Sequence, residues 1–213
     1  MKYFGLDLTG SARPSGYAVL DGTGALADVG VCVTDDEICA LVARHGARTV
    51  AIDCPLGLPA GLCCLEASCE CAASAPDGVR ASERAVRGAG LWPVRHDETH
   101  DHPRDGVSRH RAAAPAGGGG RARLEVYPFA TKATLFGRLM PKKTTPKGAR
   151  WLRERLSALV PGLAGVPRAL THDELDAVVA ASTALLLDRG EAVALGDDAE
   201  GAIVVPSARG APR

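Results

Sequence analysis

The sequence lacks net charge, an apolar run long enough to cross a membrane, and the apolar core of an export signal. Lysine and arginine together number 25, as do aspartate and glutamate, so the formal net charge is zero. This balance removes the simple case for a nucleic-acid binder held by bulk charge, but it leaves open a local basic face. The absence of a signal peptide and of a membrane span predicts a cytoplasmic protein with no membrane partner.

Aromatic residues are also scarce, at 4%, whereas hydrophobic residues make up 46% and charged residues 23% of the chain. This composition is sufficient for a packed core, and a length of 213 residues suits one α/β domain. We expect this single domain to span residues 1–206, followed by a flexible tail over residues 207–213.

The order of the predicted elements indicates the architecture of the sheet. Apolar patterning predicts three antiparallel strands at the start of the chain, over 3–8, 16–20 and 26–33, with a hairpin signal at Asp21–Gly24. A capped helix follows, and then a fully apolar strand over 49–52, which is typical of a parallel, central position. With a later strand over 124–127, the sequence predicts an α/β fold with a mixed five-stranded sheet (three antiparallel strands, then parallel strands) and flanking helices.

Acidic residues stand where two of these strands end. Asp7 closes the first strand and Asp53 closes the buried one. Asp176 lies in a helix predicted over 172–189, which opens with a capping box of Thr171 and Glu174. A carboxylate beside apolar positions is costly unless it is paired. Three such groups can share Mg²⁺ or Mn²⁺, which prefer oxygen ligands.

Two further acidic residues are candidates for the same centre, and both have a simpler interpretation. Asp173 precedes Asp176 by three residues and shares its helix face, but it also suits the helix dipole. Glu125 is a possible fourth ligand or an outward-facing strand residue. Asp7 and Asp53 are themselves open to a structural interpretation, as residues that cap the turns at Gly10 and Pro55.

Five motifs carry a resemblance to a known family: Gly5–Ser11, Ala51–Gly57, Leu124–Pro128, His172–Ala177 and Glu200–Pro206. They resemble a bacterial family of unknown function, family 429 of the domains of unknown function, whose members are regarded as predicted RNase H-like nucleases. The strand-ending aspartates and the late Asp-x-x-Asp helix are also similar to the RuvC-like branch of the RNase H-like superfamily. The resemblance implies an RNase H-like fold and a Mg²⁺- or Mn²⁺-dependent nuclease, with Asp7, Asp53 and Asp176 as metal ligands and Asp173 or Glu125 assisting.

Two other functions compete with this prediction. One is a non-catalytic domain that binds nucleic acid or a protein partner and keeps the acidic centre for stability. The other is an actin-like, ATP-dependent phosphotransferase, because Thr9 and Ser11 follow Asp7 as they would in a phosphate loop. Such transferases need a second domain of comparable size, for which this chain is too short.

The seven cysteines fall into two groups. Cys63, Cys64, Cys69 and Cys71 lie within nine residues and are candidates for a structural Zn²⁺ site, although the spacing is not the paired C-x-x-C of a zinc ribbon. Free thiols in a loop are the alternative. The other three cysteines stand in apolar patterns and are predicted to be core residues.

A basic stretch runs from Arg138 to Arg155, opposed only by Glu154. It could follow the phosphates of a nucleic acid, or it could be the solvated face of a helix. The residues predicted to contact substrate are Thr9, Ser11, Lys142, Lys143, Lys147 and Arg150.

Residues 94–123 do not match the patterning of their surroundings. They contain a histidine-rich run, His96–His102, and then Ala112–Gly120, which holds only Ala, Pro and Gly. A frame shifted by one nucleotide, with suitable GC-rich codons, would instead encode a threonine- and arginine-rich loop followed by a basic amphipathic helix. The segment is therefore predicted to be a disordered or frameshifted insert, which resequencing of the source DNA would check.

Overall fold

The computed structural model describes residues 1–10, 13–64, 68–74, 78–91, 122–197 and 199–207. In this part of the chain, seven strands form one sheet in the order β3-β2-β1-β4-β5-β7-β6. Strands β1, β4, β5 and β7 are mutually parallel, whereas β2, β3 and β6 are attached by antiparallel pairing. The strands are β1 (Lys2–Asp7), β2 (Ser15–Asp21), β3 (Leu26–Cys32), β4 (Thr49–Asp53), β5 (Ala122–Val126), β6 (Ala192–Asp197) and β7 (Gly201–Pro206).

The predicted mixed α/β sheet is confirmed, but the predicted number of five strands is wrong. The two additional strands are the hairpin β6–β7, which extends the sheet beyond β5. Strand β7 contains the apolar run Ile203–Val205, whose three residues are buried. Strand β6 lies at the edge and exposes most of its side chains, and its short apolar run Ala192–Leu195 lacks the alternation of buried and exposed positions that predicts a strand.

Five α-helices are described: α1 (Asp35–His45), α2 (Ala81–Gly88), α3 (Pro128–Phe136), α4 (Pro146–Ser157) and α5 (His172–Asp188). Short 3₁₀ turns cover Glu70–Ser74 and Leu163–Gly165. The capping box of Thr171 and Glu174 at the start of α5 is confirmed. In the described residues, no helix is long and apolar enough to cross a membrane.

Helices cover both faces of the sheet. Alternate residues of a strand point to opposite faces, and on β2 Val19 packs in one core with Ile38 of α1, whereas Leu20 packs in another with Leu156 of α4 and Leu175 of α5. Helix α1 therefore lies on one face, and α4 and α5 lie on the other.

Helix α5 approaches the sheet unusually closely because two strand positions have no side chain. A Cβ atom built on Gly5 of β1 would lie 2.0 Å from the carbonyl oxygen of Ala177. One built on Gly16 of β2 would lie 2.3 Å from the carbonyl oxygen of Asp173. The backbone of α5 thus rests directly on β1 and β2, and its first turns lie beside the end of β1.

Most of the segment over 94–123 lies outside the described residues, so its predicted disorder or frameshift stays a prediction. The exceptions are Ala122 and Arg123, which begin β5. Of the predicted tail, residues 208–213 also lie outside the described residues.

Candidate metal centre

Asp7 and Asp53 are brought side by side by the parallel pairing of β1 and β4. They are register partners and the last residues of their strands. Asp7 is buried, and Asp53 is partly buried. Because side chains at paired positions of neighbouring strands point to the same face, the two carboxylates share one environment.

Helix α5 supplies the remaining acidic groups. Asp176 is buried in the second turn, and Asp173 lies one turn earlier, partly exposed. The close packing of α5 on Gly5 and Gly16 brings this end of the helix to the ends of β1 and β4. The structure therefore brings together Asp7, Asp53, Asp173 and Asp176, whose charges act on one another.

The electrostatics of the centre oppose full ionisation of its carboxylates. Burial, and then the neighbouring Asp53 and Asp176, raise the pKa of Asp7 well above its ordinary value. Burial, and then the charge of Asp176, raise the pKa of Asp53 to about 7. Crowded carboxylates of this kind favour a bound proton or a bound cation.

The pKa of Asp176 is shifted in the opposite direction, because two lysines bind its carboxylate. Nζ of Lys132, from α3, donates to Oδ1 at 2.6 Å, and Nζ of Lys143 donates to Oδ2 at 2.6 Å. Burial alone would raise the pKa of Asp176, but the two ammonium groups outweigh that effect and lower it. Lys132 is itself buried, so its charge is fixed within the protein, whereas Lys143 is partly exposed.

A histidine also lies at the centre. Ligand atoms of Asp7, His172 and Asp173 lie within 4.8 Å of one another. Nδ1 of His172 is 2.7 Å from Oδ1 of Asp173, but without the alignment of a hydrogen bond. Oδ2 of Asp7 is likewise buried without a hydrogen-bond partner. A buried carboxylate oxygen without a partner, beside a histidine and a second carboxylate, is an arrangement that a cation would satisfy.

Glu125 belongs to a neighbouring network and is buried, so it does not face outward. Both its oxygens accept hydrogen bonds from the guanidinium of Arg80, at 2.7 and 2.5 Å. It also accepts from the backbone N–H of Leu56 at 2.8 Å, and Leu56 lies in the turn that follows Asp53. Glu125 therefore holds the turn after Asp53, and Arg80 neutralises its charge.

In the described part of the predicted phosphate loop, Thr9 forms hydrogen bonds with nearby residues of the same segment. The hydroxyl of Thr9 donates to the carbonyl oxygen of Arg13 at 2.7 Å, and its backbone N–H donates to the hydroxyl of Ser15. Ser11 lies outside the described residues. Substrate contact by either residue stays a prediction.

The basic stretch divides into groups with different roles. Arg153 donates to the carbonyl oxygens of Val166 and Arg168, and Arg155 lies over the ring of Trp151, so both contribute to the fold. Lys143 enters the acidic centre. Lys142, Lys147 and Arg150 are exposed on or before α4.

A cavity of about 190 Å³ adjoins these basic residues. Its lining combines cationic side chains with aromatic rings and includes Lys132, Lys142, Lys143, Phe129 and Trp151. Because Lys132 and Lys143 also bind Asp176, this cavity lies directly beside the acidic centre.

The sequence reasoning missed three residues of this region: Lys132, His172 and Arg80. Lys132 was detectable, because it is the only charged residue of helix α3, whose other residues are apolar except for two threonines, and a buried charge requires a partner. Arg80 gave no such signal, since its partner Glu125 is 45 residues away in the chain. The four clustered cysteines lie together in the loop between Ala60 and Val79, apart from the carboxylates in the sequence.

Comparison with known protein families identifies a match over most of the chain. The sequence model of the family described as "Protein of unknown function (DUF429)" matches residues 5–201. No curated protein and no solved structure matches the chain.

Proposed function

This chain belongs to the family of proteins of unknown function described as DUF429, and we propose that it is an RNase H-like, metal-dependent nuclease. Asp7, Asp53 and Asp176 would hold Mg²⁺ or Mn²⁺, with Asp173 assisting. When bound, the ion would activate water and stabilise the leaving oxygen in an in-line displacement at phosphorus.

The proposal rests on four carboxylates that lie close together, one of which has a buried oxygen atom without a hydrogen-bond partner. Asp7 and Asp53 end adjacent parallel strands, Asp173 and Asp176 face them from α5, and Oδ2 of Asp7 is buried with no hydrogen bond. A purely structural turn cap would use that oxygen to accept from a backbone N–H, as Asp21 does from Thr23 and Ala25. The five strands β3-β2-β1-β4-β5 also follow the three-antiparallel-then-parallel arrangement that an RNase H-like fold implies.

The charges of the centre favour one divalent ion over two. The four aspartates carry four negative charges when ionised, and Lys132 and Lys143 contribute two positive charges. Two negative charges remain, which one divalent cation balances. In this arrangement Lys132 supplies a fixed positive charge where a two-metal centre would need a second ion.

The chain's own residues would bind and orient the substrate. Lys143 is partly exposed, binds Asp176 and lines the adjoining cavity, so it is placed to meet a phosphate oxygen of a substrate in that cavity. Phe129 and Trp151 offer aromatic surface in the same cavity, on which a base can stack. Glu125 and Arg80 act as positioning residues because they fix the turn that follows Asp53.

The lysine pairs also support a second candidate function. Lys132 and Lys143 neutralise Asp176 without any metal, as expected for a domain that binds nucleic acid and retains the acidic centre only for stability. The two candidates differ in whether the remaining carboxylates bind a divalent ion.

Metal titration followed by a nuclease panel distinguishes the candidates. Mg²⁺ and Mn²⁺ are titrated calorimetrically into the protein and into the Asp7→Asn variant. Single- and double-stranded DNA, branched DNA and RNA are then incubated with each protein. We expect one bound ion per chain, lost in Asp7→Asn, and cleavage of at least one substrate that requires the ion. Binding of nucleic acid without metal binding or cleavage would support the non-catalytic function.

A further inference from the structure

The loop between Ala60 and Val79 is anchored at both ends, although its described residues form no core of their own. None of its residues whose burial is described is buried. Its two ends are nevertheless fixed: the N–H of Ala60 donates to Oε1 of Glu200 at 2.6 Å, and the N–H of Ala81 donates to Oε2 of the same residue. A short segment without buried apolar side chains needs another form of cross-link to keep one conformation.

The cross-link available in this loop is a group of four thiols. The sulfur atoms of Cys63, Cys64, Cys69 and Cys71 all lie within 4.8 Å of one another. The Sγ atoms of Cys63 and Cys69 are 3.7 Å apart, and those of Cys64 and Cys71 are 3.9 Å apart. These pairs interleave along the chain, so the two halves of the cluster face each other across the loop.

The two shorter contacts are close to the sulfur–sulfur distance of a tetrahedral zinc site and longer than a disulfide bond. Zinc binds thiolate sulfur at about 2.3 Å, so a regular tetrahedron of sulfurs around it has edges of about 3.8 Å. A disulfide would place its two sulfurs about 2.05 Å apart. Four converging cysteines with no described fifth ligand form a closed set, which is typical of structural zinc sites.

We propose that Cys63, Cys64, Cys69 and Cys71 bind one structural Zn²⁺ ion that holds the loop over residues 60–79. This site is separate from the carboxylate centre and does not depend on the proposed nuclease activity. Its thiolates select zinc, whereas the carboxylates of the other centre select magnesium or manganese. The ion would fix the loop between the turn after Asp53 and the buried Arg80, the two segments that Glu125 ties together.

The test measures the zinc content of the full-length chain, purified without added zinc or chelator. We expect about one zinc per chain by elemental analysis, and a native mass that exceeds the apo mass by one zinc minus the displaced thiol protons. Replacement by Co²⁺ should give the strong visible absorption of a tetrahedral thiolate site. Removal of zinc should make the loop over residues 60–79 newly susceptible to limited proteolysis, in addition to any cleavage seen in the zinc-bound protein.

Matched variants assign the metal to its ligands. Cys69→Ser and Cys71→Ser should each lower the zinc content at least tenfold, whereas Cys39→Ser, which changes a cysteine of α1, should leave it unchanged. Asp7→Asn should also retain full zinc content, so the outcome is independent of the carboxylate centre. Because a ligand variant could unfold, circular dichroism accompanies each measurement, and cobalt titration of the unaltered apo-protein is an additional test. A folded, zinc-free protein with all four thiols titratable, or a mass showing disulfides, would overturn the proposal.

Discussion

At the scale of single residues, Asp53 is one of two strand-ending side chains whose negative charge the fold opposes. It ends β4 beside Asp7, and burial and Asp176 raise its pKa to about 7. We expect Asp53→Asn to lower nuclease activity by at least about 100-fold, because it removes a proposed metal ligand. The same change should preserve or raise the stability of the metal-free protein, since one repulsive charge is lost.

Activity assays with Mg²⁺ and thermal unfolding in the presence of a chelator measure these two effects. Asp36→Asn is the matched control, because Asp36 is exposed on α1 and the substitution is identical. It should leave activity unchanged and lower stability by less than about 1 kcal/mol, because Asp36 lies in the first turn of α1. A strong loss of stability in Asp53→Asn would indicate that the carboxylate caps the turn at Pro55 instead of binding metal.

The same carboxylates make the stability of the metal-free protein depend on pH. The folded-state pKa values of Asp7 and Asp53 are raised, whereas aspartate in an unfolded chain titrates near 3.9. Between about pH 4 and pH 7 the folded protein therefore holds protons that the unfolded chain has lost, and stability falls as pH rises. Asp176, whose pKa is lowered, loses its stabilising effect only below this window.

Urea unfolding at pH 5 and pH 7 with a chelator measures this dependence. We expect the free energy of unfolding to be lower at pH 7 by on the order of 2 kcal/mol. Mg²⁺ at pH 7 should reverse the loss, and Asp53→Asn should reduce the difference. A stability that rises between pH 5 and pH 7 in both proteins would contradict the raised pKa values.

A substitution of Lys132 tests whether its positive charge is required to stabilise the buried Asp176 carboxylate. Its ammonium group is buried against Asp176. Lys132→Met should destabilise the protein by about 3 kcal/mol, because Asp176 then remains buried with Lys143 as its only lysine partner. Lys147→Met, at an exposed lysine, is the control and should change stability by less than about 0.5 kcal/mol. The double variant Lys132→Met/Asp176→Asn should recover much of the stability lost in Lys132→Met. If the stability losses of the two substitutions instead add, the two residues act independently.

At the scale of elements, the position of α5 determines whether a carboxylate centre exists at all. Gly5→Ala would place a Cβ atom against the backbone of Ala177 and Ala181, neither of which can yield by a side-chain rotation. The helix would have to move away from β1 and take Asp173 and Asp176 with it. We expect a loss of about 3 kcal/mol in stability together with weaker binding of Mg²⁺.

Gly88→Ala is the control for this prediction, because nothing lies within 4 Å of a Cβ atom at that position. It should be neutral or slightly stabilising. Chemical denaturation and metal titration of both variants measure the effects. Unchanged metal affinity in Gly5→Ala would show that the helix does not set the geometry of the centre.

The elements also show how far sequence reasoning extends. The capping box of α5 and the strand-ending positions of Asp7 and Asp53 are local patterns, so the sequence predicted them correctly. The pairing of Glu125 with Arg80 depends on two segments 45 residues apart, and no local pattern specifies it. Strand β6 was missed for a different reason: an exposed edge strand is stabilised by backbone pairing with β7, which needs no apolar alternation.

At the scale of the whole molecule, a net charge of zero means that long-range attraction cannot concentrate nucleic acid on the protein. Binding must therefore come from a local basic surface, and Lys147 and Arg150 are exposed on α4, the helix that lines the cavity beside the acidic centre. Each contact to a phosphate adds close to one unit to the slope of log affinity against log salt concentration. We expect Lys147→Glu and Arg150→Glu each to weaken binding several-fold at low salt and to reduce that slope by about one.

Arg48→Glu provides the control for this last prediction, because Arg48 is exposed just before β4, at the end of the strand opposite Asp53. All three variants change the net charge by the same amount. An effect of net charge alone would weaken binding equally in all three, whereas a local surface predicts that Arg48→Glu binds almost as the unaltered protein does. Fluorescence anisotropy with labelled DNA and RNA at several salt concentrations separates these outcomes. Equal losses of affinity in Arg48→Glu and Lys147→Glu would show that α4 is not the nucleic-acid-binding surface. The surface that leads the substrate to the acidic centre would then have to lie elsewhere.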